Sequence, residues 1–164
     1  MNTTLKLTTL ALLAGTASLS LADGARSERN MTLALANQLA AAAVSACQGS
    51  GYAVTAAVVD RAGGLRALQR ADNAGPHTLG ASERKAFTSA SAKNATTAMM
   101  ETAQKNPGAA NLVHIPGFLL LGGGMPVKAG NEVIGAIGVG GAPGGHLDDQ
   151  CAAAALETVK EQLK

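Results

Sequence analysis

Large aromatic side chains are nearly missing from this chain: 164 residues contain no tryptophan, one tyrosine and two phenylalanines. Its core must therefore be assembled from Leu, Val, Ile and Ala at close range. Each such residue buries little area, at about 25 cal/mol per Å² of apolar surface. The expectation is one domain whose monomer is only modestly stable and gains from association. Runs of lysine or arginine are missing too, as is any interleaving of arginine with aromatics, and the formal charge is only +2. Nucleic-acid binding has no support from such a pattern. There is no CxxC, no HxxxH, no Gly-Lys-Ser/Thr and no G-x-S-x-G. The usual zinc, P-loop and nucleophile-elbow signatures are thereby excluded.

One apolar stretch stands out. "MNTTLKLTTLALLAGTASLSLA" carries a single cation, Lys6, ahead of an apolar run from Leu7 to about Ala17. Ser20-Leu21-Ala22 then fits a small-x-small cleavage pattern. Residues 1–22 read as a secretory signal peptide; the run is short for a membrane span, which needs about 20 apolar residues. The expected location is periplasmic or secreted, with no membrane insertion after cleavage. Export implies an oxidising compartment, so Cys47 and Cys151, the only cysteines, could pair. Each falls in an expected helix, and two buried free thiols fit the sequence equally well.

Residues 23–30 are polar and read as a flexible start to a single domain over 31–164. Apolar spacing predicts a helix from Met31 to about Gln48, stopped by Gly49-Ser50-Gly51. "YAVTAAVVD" and "LRALQRAD" predict a hairpin across "RAGG". Helices follow over about Thr78 to Lys93, with Thr78 as N-cap, and over Thr96 to Lys105. Phe118 to Leu121 reads as a short apolar strand after the turn Ile115-Pro116-Gly117. "MPVKAGNEVIGAIGVGG" predicts a second hairpin turning at Gly130-Asn131, and a last helix begins near Asp148-Asp149. Hairpins imply antiparallel pairing with helices covering the sheet.

The chemistry-bearing candidates are few. "GVGGAPGG" sits between a strand and a helix, but the third glycine of a G-x-G-x-x-G falls on Pro143, so tight turns and close backbone approach explain it better. Asp60 ends a strand at a hairpin corner, where aspartate usually forms the turn. Of the histidines, His114 and His146 read as loop residues, and a zinc site would need both to converge with His77. His77 differs because Gly75-Pro76 stiffens its backbone just ahead of a helix carrying Arg84, Lys85 and Phe87. A neutral imidazole is a common haem-iron ligand, and cations a turn or two along could meet propionates.

"AVVDRAGGLRAL", "AGPHTLGASERKAFTSAS" and "IPGFLLLGGGMPVKAGNEVIGAIGVGGAPGGHLDDQCA" resemble the GlcG/HbpS-like haem-binding family, related to the carboxy-terminal domain of PduO-type proteins. The likeness covers about Met31 to Lys164. It implies an α/β (α+β) fold, a profilin-like sandwich with an antiparallel sheet of about five strands flanked by helices. It also implies homo-oligomers, haem binding by some members, and in secreted members a sensor partner. The motif "GPHT" carries over as a match, which marks His77 and Thr78; iron on His77 is an inference from the residues.

The expected function is thus an exported haem-binding protein, more a binding protein than an enzyme. His77 is the expected metal ligand, and Thr78, Arg84 and Lys85 the expected cofactor contacts. Two alternatives stand beside it: an enzyme acting on haem or a small molecule at the same pocket, and a cofactor-free interaction module for a sensor or another exported protein.

Overall fold

A computed structural model describes residues 24–164; the expected signal peptide, 1–22, lies outside them. The elements run α1 (Leu33–Gly49), β1 (Thr55–Asp60), β2 (Leu65–Arg70), α2 (His77–Ala92), α3 (Thr96–Lys105), a 3-10 helix (Pro107–His114), β3 (Gly124–Ala129), β4 (Glu132–Gly140), α4 (Gly145–Thr158) and a final 3-10 turn (Lys160–Leu163). The four strands form one antiparallel sheet in the order β2-β1-β4-β3. Among the described residues no helix is long and apolar enough to cross a membrane.

The mixed α/β class and both hairpins follow the sequence pattern, with the second turn at Gly130-Asn131 between β3 and β4. The expected strand over Phe118 to Leu121 does not form, so among the described residues the sheet has four strands rather than about five. Instead the stretch is held by side chains: Leu119 N donates to Thr88 Oγ1 and Leu121 O accepts from Thr96 Oγ1. A short apolar run looks the same whether it pairs with a strand or lies along a helix. The start expected to be flexible is tied down from Glu28 onward. Glu28 pairs with Arg61, Arg29 donates to Ala129 O and Lys164 O, and Asn30 Oδ1 accepts from Arg61 N.

Two layers of helix cover the sheet. α1 and α4 lie side by side on one face, where Leu35, Leu39, Ala43, Val54, Val58, Ile137, Val139 and Ala152 make the larger core. α2 covers the other face over β1, β4 and β3, with Val59, Ala86, Ala90 and Ala136 between them. Its approach is unusually close. Gly124 and Gly138 face each other across the β3–β4 ladder. A Cβ on Gly138 would fall 2.0 Å from Ser82 O and 2.5 Å from Ala86 N, and one on Gly124 2.5 Å from Lys85 O. The backbone of α2 therefore rests on bare strand backbone, a contact only glycine permits.

Cys47 near the end of α1 and Cys151 in α4 form a disulfide, their Cα atoms 5.4 Å apart and 104 residues separated in sequence. Closing a loop of about 100 residues removes unfolded-chain entropy worth up to about 4.7 kcal/mol. The double variant Cys47→Ala/Cys151→Ala is expected to lose about 2–5 kcal/mol, read as an earlier urea midpoint. Reductant should shift the parent's midpoint and leave the variant's unmoved.

Candidate functional site

α2 starts abruptly. Pro76 occupies the N-cap in helical conformation, with no side-chain cap bond, and His77 is the first helical residue. Thr78 is therefore not the cap that the sequence suggested. The His77 ring is exposed and folds back over Gly75, where a Cβ would lie 2.7 Å from Cε1 and 2.8 Å from Nδ1. Neither ring nitrogen has a hydrogen-bond partner among the described residues, so its lone pair is free. Thr78, one position on, points inward: it is 1% exposed, and its hydroxyl meets Thr55 Oγ1 at 2.7 Å and Gly75 O at 2.6 Å. It joins α2 to β1 and presents no group to a ligand.

The outer face of α2 carries His77, Gly80, Glu83 and Arg84, all exposed, and the half-buried Phe87. The helical repeat places Arg84 two turns beyond His77 on the same side. Arg84 and Phe87, with Glu83, Gly63, Pro116 and Gly117, line a cleft of about 200 Å³. His77 is not in that lining; it stands further toward the helix start. Phe87 is wedged between two turns. A Cβ on Gly63 would lie 2.8 Å from its ring and one on Gly117 3.1 Å, and both glycines have φ near +85° (85° and 84°). The ring of Phe118 meets Phe87 edge-on, with centroids 6.2 Å apart. Arg84 Nη2 donates to Phe118 O at 2.7 Å.

Lys85 is not the surface contact that the sequence suggested. Its side chain lies on the opposite flank of α2 from the cleft and is 1% exposed. Nζ donates to Asp148 Oδ2 and to Val139 O, each at 2.8 Å. It is the cation of a buried ion pair that joins α2 to the first turn of α4, and it cannot meet a propionate at the surface. Asp148 also accepts from Ala142 N at 3.0 Å. Its neighbour Asp149 accepts from Gly123 N at 2.6 Å and from Thr97 Oγ1. Burial pushes the Asp148 carboxyl above its ordinary range; the hydrogen bond and charge of Lys85 and the Ala142 amide oppose this, and Asp149 adds to it.

His114 closes the 3-10 helix and His146 sits in the first turn of α4, both exposed. Among the described residues no three His, Cys, Asp or Glu side chains gather where they could hold a metal, so the three histidines do not form a zinc site. Asp60 is the turn former it resembled, its Oδ1 accepting from Ala62 N and Gly64 N. The cleft's other residues were harder to see. "RAGG" and "IPGF" each read as a turn, and nothing in the chain tells that both turns close on one phenylalanine ring.

Removing one member of a buried pair leaves the other charge stranded, at a cost of about 3–5 kcal/mol. Lys85→Met should lose that much at pH 7 by chemical denaturation. Without Lys85, the Asp148 carboxyl rises further, so the folded state holds more protons than the unfolded state and stability climbs as pH falls. The variant's deficit should shrink below neutrality, whereas a loss independent of pH would locate the damage in packing alone.

Residues 31–157 match the family described as "Haem degrading protein HbpS-like". Protein GlcG of Escherichia coli (strain K12) is 36% identical over 109 residues, 64% of this chain and 80% of that protein. The crystal structure of HbpS superimposes with a TM-score of 0.78 at 39% identity, over 83% of this chain and 94% of HbpS. A PduOC:heme complex shares the fold at 23% identity and a TM-score of 0.70, over 78% of this chain and 94% of that one. With a four-stranded sheet, a glycine-floored helix and a family match spanning most of its length, the chain belongs to the HbpS-like family.

Proposed function

We propose that this chain is an exported haem-binding protein whose ligand lies along the outer face of α2. The observation that carries the reading is the pairing, on one helix face, of a free imidazole with an arginine beside an aromatic-floored cleft. The donor set fits the group chemically. His77 would hold the iron, Arg84 would meet a propionate, and Phe87 and Pro116 offer apolar surface to the ring. Family membership favours the same ligand, since the family is described as haem degrading and PduOC is a haem complex. Thr78 and Lys85 drop out of the contact set, because both are buried and bonded elsewhere.

The cleft of about 200 Å³ is smaller than the roughly 300–1,000 Å³ of sites that enclose a small molecule. One chain supplies one wall. A homo-oligomer that brings a second copy over α2 would supply the other, and the exposed Val113, Ile115 and Leu121 nearby suit such a contact. Export is supported by the disulfide between α1 and α4, because such bonds persist in oxidising compartments, and by the leader-like residues 1–22.

Breakdown of the bound haem is a second reading, favoured by the family's description. Bound haem would supply an iron centre able to activate oxygen; the chain's part would be to hold it with one face open. A partner sensor protein would fit the binding reading.

Hemin titration tests the proposal. The parent protein should give a shifted Soret band, and His77→Ala should change that spectrum and weaken binding by at least the roughly 10–100-fold that loss of an outer partner costs a metal site. An unchanged spectrum and affinity in His77→Ala, with loss in His114→Ala or His146→Ala, would move the ligand. Adding ascorbate in air to the complex separates the two readings: a lasting Soret band means binding, and bleaching with bile-pigment release means turnover.

A further inference from the structure

The segment after the 3-10 helix, Ile115 to Leu121, crosses the outer side of α2 as irregular backbone with no strand partner. It is fastened at three places. Arg84 Nη2 donates to Phe118 O at 2.7 Å, Leu119 N donates to Thr88 Oγ1 at 2.8 Å, and Thr96 Oγ1 donates to Leu121 O at 2.7 Å. The last is firmly set, because buried Thr96 Oγ1 also accepts from Gly124 N, and the adjoining Gly123 N and Thr97 Oγ1 both donate to Asp149. The first two hold the middle of the strap, and they share a root, because Thr88 Oγ1 also donates to Arg84 O. Gly117, at φ 84°, is a pivot at one end, and Gly122 with Gly123, at φ 118°, follows the other. The surface beyond is apolar and open: Val113 is 51% exposed and Ile115 40%.

Arg84 therefore stands between two acceptors. Arg84 is exposed, it lines the cleft, and among the described residues its guanidinium has one hydrogen bond, to a neutral backbone carbonyl. A carboxylate is the stronger acceptor for a guanidinium and can take two parallel hydrogen bonds from it. An acidic ligand resting on Phe87 would thus compete with the strap for the same cation. Loss of that bond leaves the middle of the strap tied to α2 by the Leu119 N–Thr88 bond and by the edge contact of Phe118 to Phe87, the ring on which the ligand would lie.

We infer that the Ile115–Leu119 strap is a ligand-responsive element: a carboxylate of the bound ligand takes Arg84 from Phe118 O, and the strap detaches from α2. This rests on the haem reading above. It adds that occupancy of the cleft is reported on the surface, through the release of Phe118 and its apolar neighbours. The specificity is for a flat ligand bearing an acidic arm; a flat ligand without one would bind and leave the strap in place.

The experiment follows amide exchange at Leu119, whose N–H is held by Thr88, in the full-length folded protein, with the Soret band recording occupancy. Arg84→Ala without ligand should exchange about tenfold faster at Leu119, the scale of losing one charge-assisted hydrogen bond. Saturating the parent with hemin should produce a similar increase. Hemin dimethyl ester, which lacks the carboxylates, should shift the Soret band yet leave Leu119 exchange at its ligand-free rate. A hemin-induced Soret shift with unaltered Leu119 exchange overturns the strap alone, as does an equal response to the diester. Absence of any Soret shift overturns the haem reading and takes the strap proposal with it.

Discussion

Everything on the outer face of the molecule depends on how near α2 comes to the sheet. Gly124 and Gly138 sit opposite one another in β3 and β4 and put no side chain beneath the Ser82–Ala86 turn of the helix. Main chain meets main chain there, and the helix is located to within the width of a methyl group. Arg84 and Phe87 inherit that placement. A helix lifted on ordinary side chains would carry Phe87 away from Gly63 and Gly117, and the cleft between the two turns would not exist. The poverty in aromatics fits the same design, because a layer packed through glycine and alanine has no room for them.

The second constraint works around the end of the sheet. Lys85 leaves α2 on its inner flank and meets Asp148 in the first turn of α4, while Asp149 accepts from Gly123 N and from Thr97 Oγ1. The two helical layers thus grip one another directly as well as through the strands. The cost of burying two charges is offset by the bonds from Lys85 Nζ to Asp148 and Val139 O and from Ala142 N to Asp148, and no buried side-chain polar atom among the described residues lacks a partner. On the far side the disulfide does for α1 and α4 what the ion pair does for α2 and α4.

Much of this was legible in the residues themselves. The 3.6-residue spacing of Ala36, Ala40, Ala43, Val44 and Cys47 announced α1, though Leu33, read with them, is 54% exposed, and the turn at Gly130-Asn131 announced the β3–β4 hairpin. Local pattern failed where the outcome depended on a distant partner. Phe118 to Leu121 has the composition of a strand, yet Thr88 and Thr96 satisfy its backbone from helices some 30 and 25 positions away (|i−j| of 31 and 25). Lys85 and Arg84 are adjacent cations on one helix, and only the direction of each side chain separates a buried structural ion from an exposed binding group. That direction is fixed by a 100° turn per residue together with the location of Asp148, 63 residues on. Thr78 turned inward for the same reason, toward Thr55.

The bond between Cys47 and Cys151 also turns everything between them into a covalent ring that includes all four strands, α2, α3 and the strap. A protease that cuts the exposed passage around Val113 to Pro116 would open the ring without freeing either piece. The nicked molecule would keep both halves joined, migrate as one species until a thiol is added, and hold its two ends at the effective concentration needed to stay assembled. Such a closed loop converts a severing injury into a survivable one.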